Sequence, residues 1–85
     1  MKSYTLPDGQ VIELHEITRV HAPQYDWKKF WSSPIKNLTD KAMCHYFELD
    51  VRPGKTIRVY DDKELYRFRI LMQFIVDEDM EEILA

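Results

Sequence analysis

Residues 46–60 alternate apolar and polar side chains on either side of a turn, and that pattern admits one kind of local structure. Phe47, Leu49 and Val51 fall on one side of an extended chain, with Tyr46, Glu48 and Asp50 on the other. Beyond Pro53-Gly54, Ile57 and Val59 take the first side, and Thr56, Arg58 and Tyr60 the second. A period of two is the period of a strand, whereas a helix would scatter these side chains around its circumference. The Pro-Gly pair supplies the turn. The segment therefore reads as a β-hairpin with one buried and one wet face, as in an antiparallel sheet. On the wet face Arg58 falls near Glu48 or Asp50, an exposed pairing that contributes only about 0–1 kcal/mol.

A second hairpin precedes it. Tyr4-Thr5-Leu6 reads as a short strand, Pro7-Asp8-Gly9 as a turn, and Gln10 to Leu14 as the returning strand with Ile12 and Leu14 on one face. Ile17 and Val20 extend the apolar pattern less regularly. Leu6, Gly9, Ile12 and Leu14 recur as Val51, Gly54, Ile57 and Val59 at a constant offset of 45. This is the pattern of a duplicated ββ unit, and also one that strand and turn propensities generate unaided.

The last third changes period. Asp61-Asp62-Lys63-Glu64 has the spacing of a capping box, which starts a helix. Leu65, Phe68, Leu71, Met72, Ile75 and Val76 then form a stripe at helical spacing, suited to packing on the inner face of the sheet. Asp77, Glu78, Asp79, Glu81 and Glu82 crowd the negative end of the helix dipole. Fraying after Val76 is expected unless Met80, Ile83 and Leu84 are held.

The sum is one α+β domain over residues 1–85. It comprises a hairpin at 4–17, an irregular aromatic insert at 21–45, a hairpin at 46–60 and a helix at 62–84. The hairpins build an antiparallel four- to five-stranded curled sheet, partly barrel-like, with the C-terminal helix packed on one face. Eighty-five residues suffice for one domain. A domain of that size buries about 60–65% of the surface its unfolded chain exposes, so self-association is a common route to added stability.

The insert is unusual for its length. It carries Tyr25, Trp27, Phe30 and Trp31 between Pro23 and Pro34, and Asp26 is placed to cap a short helical turn through Trp31. A further turn is expected over 37–43. Long aperiodic segments inside compact domains are usually functional or mobile. Aromatics interleaved with Lys28 and Lys29 suit a protein interface or stacking on nucleic-acid bases. They also suit a small satellite core. The net charge of −3 and a pI near 5.5 disfavour nucleic acid.

On the helix, Tyr66, Ile70 and Phe74 recur every four residues opposite the core stripe. Three large apolar groups there predict a second buried face, either a homodimer or partner interface or a surface covered by the insert.

Chemistry-bearing patterns are sparse. His15, His21, His45 and Cys44 show no ligand spacing of a metal site, and adjacent Cys44 and His45 point to opposite faces of a strand start. Glu13, Glu16, Glu48 and Asp50 lie on a wet surface that would not separate their pKa values for acid–base work. Asn37-Leu38-Thr39 matches a glycosylation acceptor, but residues 1–9 have no apolar signal run. One cysteine forms no internal disulfide. The longest apolar run, Ile70 to Val76, is broken by Gln73 and too short to span a bilayer.

No catalytic, cofactor or metal residues are assigned, and a membrane is not expected as a partner. The expectation is a cytoplasmic, non-enzymatic interaction or assembly module. It would form a homodimer, bind another protein, or both, through Tyr66, Ile70 and Phe74 and through Trp27, Phe30 and Trp31. An inhibitor or accessory factor fits this size, of the kind that mobile genetic elements encode. The alternative is a nucleic-acid-binding accessory protein using residues 27–31.

Overall fold

The computed structural model describes residues 3–32 and 42–84. The turn expected over 37–43 and the acceptor pattern at 37–39 lie largely or wholly outside them. The architecture is the expected α+β arrangement, in two sheets that do not close into a barrel. Strands β1 (Ser3–Thr5) and β2 (Val11–Glu13) form a two-stranded sheet. Strands β3 (Ile17–Val20), β4 (Gln24–Tyr25), β5 (His45–Val51) and β6 (Lys55–Asp61) form the larger one. Helix α1 spans Trp27–Ser32 and α2 Tyr66–Asp77.

β5 is central. β6 runs antiparallel along one edge, while β3 pairs with the end of the other edge and β4 with its beginning. The alternation of 46–60 is realised: Phe47, Leu49, Val51 and Val59 are buried, and Ile57 packs beside them. Burial of each such side chain contributes about 1.5–3 kcal/mol. Ile17 and Val20, three apart, would face opposite ways in a regular strand. A register shift between Ile17 and Arg19 turns both inward, as an extra residue in one strand does.

The two hairpins share a register. Tyr4 opposes Ile12 as Leu49 opposes Ile57, and Thr5 opposes Val11 as Asp50 opposes Thr56. Each partner lies 45 residues on. The turns match too: Gly9 N–H donates to Leu6 O and Gly54 N–H to Val51 O, both at 2.9 Å. Both glycines have positive φ, +92° and +123°, which glycine adopts without steric cost. The prolines differ, with Pro7 at the second turn position and Pro53 at the third, after a cis peptide.

The helix departs from its expected start. Asp61 shares parity with Ile57 and Val59, so its carboxylate enters the core side and is 1% exposed. There it accepts hydrogen bonds from the amides of Asp62 (2.9 Å), Arg67 (3.2 Å) and Phe68 (2.9 Å). The Asp61–Glu64 capping box does not form. Asp62 Oδ1 instead accepts from Glu64 N at 3.0 Å, Leu65 adopts a left-handed φ of 55°, and α2 begins at Tyr66.

Its buried face is also rotated. Leu71 and Ile75 are fully buried, whereas Val76 is 52% exposed, against the expected core position. At 100° per residue the centre of burial sits about 60° away from the expected stripe, toward Phe74 and Arg67. The cause is the separate β1–β2 layer, which flanks that side: Tyr4 is buried and its hydroxyl donates to Arg67 O at 3.3 Å. On the other side Phe68 meets Phe47 edge-to-face at 5.2 Å.

α2 ends in a Schellman closure. Met80 N–H donates to Ile75 O at 2.9 Å and Asp79 N–H to Val76 O at 3.1 Å, with Asp79 at φ 53°. Met80 packs on the core, Ile83 is buried, and Leu84 bridges in parallel to Val20. The acidic tail is therefore anchored, and the helix stops at Asp77 rather than continuing to 84. Among the described residues no helix is long and apolar enough to cross a membrane.

Candidate interaction site

The site is built on β4 and α1. Gln24 and Tyr25 pair with Tyr46 and His45, and Asp26 N–H donates to Cys44 O at 2.8 Å, which ties the start of α1 to the sheet. Asp26 caps the helix as its position suggests, its Oδ1 accepting from Lys29 N at 2.9 Å. Its Oδ2 accepts the Tyr60 hydroxyl at 2.7 Å, and Arg58 Nη1 lies 3.8 Å away. The Lys29 amide, then the Tyr60 hydroxyl, hold the Asp26 carboxyl below the usual carboxylate range. Burial pushes the Tyr60 hydroxyl up, with Arg58 acting against that shift and Asp26 adding to it.

This anchoring presents the aromatic side chains outward. No residue of α1 is buried, and Trp27 and Trp31 are 60% and 75% exposed. Beneath them Tyr25 and Phe30 are half-buried. The rings form a continuous ladder: Tyr25 to Trp27 at 4.6 Å, Trp27 to Phe30 at 6.2 Å, and Phe30 to Trp31 at 5.1 Å. Trp27 and Trp31 thus do not form a satellite core. Lys29 does not flank the ladder as a free cation. Its Nζ donates to Met43 O at 2.6 Å and lies 3.8 Å from the Tyr60 ring centroid.

Tyr25 also meets His45, ring to ring at 4.8 Å and nearly perpendicular. Both line a mainly apolar cavity of about 380 Å³ with Ala42, Asp62, Lys63 and Glu64. His45 Nδ1 is buried and has no hydrogen-bond partner among the described residues. Cys44 is fully buried, and its side chain interacts with that of Tyr25.

The second expected surface is divided. Tyr66 is 64% exposed, but Ile70 and Phe74 pack against the core. Ser3, Tyr4 and Thr5 line a crevice with Arg67, Ile70 and Phe74. The N-terminal hairpin therefore flanks the face on which the insert or a second chain was expected.

The wet sheet face is a polar network. Arg58 reaches Glu48 Oε2 at 3.5 Å and stacks 4.2 Å over Tyr46. Asp50 contacts His21 Nε2 at 3.0 Å and accepts from Thr56 Oγ1 at 2.9 Å; His21, then Thr56, lower its pKa. Glu13, His15 and Glu16 bring their ligand atoms within 4.8 Å of one another around a 3-10 turn, Leu14–Glu16. His15 and Glu13 are about half exposed, so this grouping lacks the supporting shell of a built metal site.

The aromatic run is visible in the sequence, whereas the cavity is not. Ala42, Asp62 and Glu64 are remote from Tyr25 in sequence and share no motif with it. No protein-family model, curated protein or solved structure matches the chain.

Proposed function

We propose that this chain is a small, non-enzymatic protein-interaction module that acts in the cytoplasm as an accessory or inhibitory factor and contacts its partner through α1. The observation that carries the reading is the exposure of Trp27 and Trp31 above half-buried Tyr25 and Phe30. Two tryptophans held in water by a rigid base cost solubility without contributing to the core. Interface anchors are enriched in such residues, and their centres exclude water on binding. The anchoring of α1 through Asp26 supports the reading further, because a preorganised contact loses less entropy on association.

Site-specific photo-crosslinking tests it. A benzophenone side chain at position 31, introduced in the native host cell, is expected to give discrete heterologous adducts. The same group at Val11, which is 59% exposed on the N-terminal hairpin, should give none. Adducts abolished by Trp27→Ala would support the reading; no adducts at position 31, or the same set from both positions, would overturn it.

Self-association is the second reading. Tyr66, at 64% exposure, favours it, whereas the packing of Ile70 and Phe74 on the core reduces the area left for a dimer. Nucleic acid is supported less, because Lys29 is engaged by Met43 O and Tyr60 and the net charge is −3.

A further inference from the structure

We infer that the cavity beside Tyr25 receives the side chain of a lysine or arginine from a basic segment of the protein partner. The inference rests on the protein-interaction reading above and names the chemistry of that partner. The cavity, about 380 Å³, lies at the low end of the range for ligand sites, roughly 300–1,000 Å³. That suits one inserted side chain better than a large cofactor.

Its lining combines two features. The rings of Tyr25 and His45, with Ala42, make an apolar wall. Asp62 and Glu64 add two acids against the single cation of Lys63, and neither acid forms an ion pair among the described residues. One oxygen of Asp62 is occupied by the amides of Glu64 and Tyr66, at 3.0 and 3.4 Å. Among the described residues the Glu64 carboxylate has no hydrogen bond of this kind.

A side chain that satisfies both features has a long apolar stem and a cationic tip. Lysine and arginine bury such stems along apolar surface while placing the charge at a polar rim. The Tyr25 ring adds a face to which a cation is attracted. An acidic tip would meet Asp62 and Glu64 with only Lys63 to offset them. A wholly apolar one would desolvate their carboxylates without compensation. Tyr25 belongs to both surfaces, 4.6 Å from Trp27 and in the cavity wall. A partner segment lying across Trp27 and Trp31 can therefore insert a neighbouring side chain here. The net charge of −3 also favours encounter with a basic segment.

The test uses the full chain, isotopically labelled for NMR, and two capped pentapeptides. One is acetyl-Gly-Gly-Arg-Gly-Gly-amide; the other carries norleucine in place of arginine. The arginine peptide is expected to cause saturable shifts at Tyr25, His45 and Lys63, and to bind at least about fivefold more tightly than the norleucine peptide. Glu64→Gln, which breaks no hydrogen bond of the fold, is expected to weaken the arginine peptide by about fivefold. Equal affinity for the two peptides, insensitivity to Glu64→Gln, or shifts confined to other surfaces would overturn the proposal. Cross-links at position 31 without arginine binding would remove the cavity assignment alone. Arginine binding without cross-links would remove the partner reading and leave a cation site.

Discussion

Asp61 Oδ2 accepts the amide of Phe68 at 2.9 Å, across a seven-residue separation. The last residue of β6 thereby caps a helix that begins five positions later. The same carboxylate holds the amides of Asp62 and Arg67, so one buried acid supplies acceptors that the missing capping box would have supplied. Arg67 reciprocates by donating from Nη1 to Tyr60 O at 2.7 Å.

Replacing Asp61 by alanine should therefore destabilise the domain by about 2–4 kcal/mol, because three part-buried donors lose their buried acceptor at once. Asp61→Asn keeps one carbonyl oxygen and should lose less. Urea denaturation of both variants measures this. Equal stability of Asp61→Ala and the parent would mean that α2 caps itself in another way.

The other end of α2 offers a gain. Asp79 holds a left-handed φ of 53° and places a negative charge at the negative end of the helix dipole. Asp79→Gly should raise stability by about 0.5–1 kcal/mol, since glycine adopts this conformation freely. A lower midpoint in thermal or urea unfolding would contradict that balance of strain, charge and chain entropy.

Ile70 and Phe74 should behave as core residues. Replacing both with aspartate is expected to cost more than about 3 kcal/mol, since each change buries a charge or leaves a cavity. Tyr66→Asp, at an exposed position, should stay within about 0.5 kcal/mol of the parent. Melting curves combined with light scattering separate the cases. A double variant that stays folded while losing a dimer would place those side chains in an intermolecular contact instead.

Titration should act at both pH extremes. The Asp26 pKa is depressed below 3.8 in the fold, so its stabilisation is present above that value and lost as pH falls through the folded pKa. Asp26→Asn should flatten the decline in stability below about pH 4. Tyr4 is raised from 10.0 to about 12, by burial first and then by Asp61. Its contribution is complete below about 10 and lost as pH rises through about 12. Tyr4→Phe should lessen that alkaline loss. Stability measured by urea at pH 2.5–5 and 9–12 checks both. Unchanged pH profiles in the variants would mean that other groups carry the titration.

Elements with strong local periodicity are legible in the amino-acid sequence alone. Phe47, Leu49, Val51, Ile57 and Val59 could be assigned to one sheet face because a strand turns each side chain by a fixed half-turn. Asp26 could be placed as a cap because capping acts over three residues. The shared register of the two hairpins was legible in the offset of 45, since turn chemistry sets strand register.

The remaining features depend on contacts between residues remote in the chain. The start of α2 was set by Asp61, whose burial follows strand parity and so overrides the local cap signal at Glu64. The buried face of α2 was set by the layer carrying Tyr4, more than sixty residues away in sequence. The exposure of Trp27 and Trp31 depends on where Asp26 is tied to Tyr60 and Cys44. The cavity joins Tyr25 to Asp62 and Glu64 across the start of β5. Periodicity assigns faces within one element. It carries no information about which other element arrives to cover them, because that is settled by packing of the whole chain.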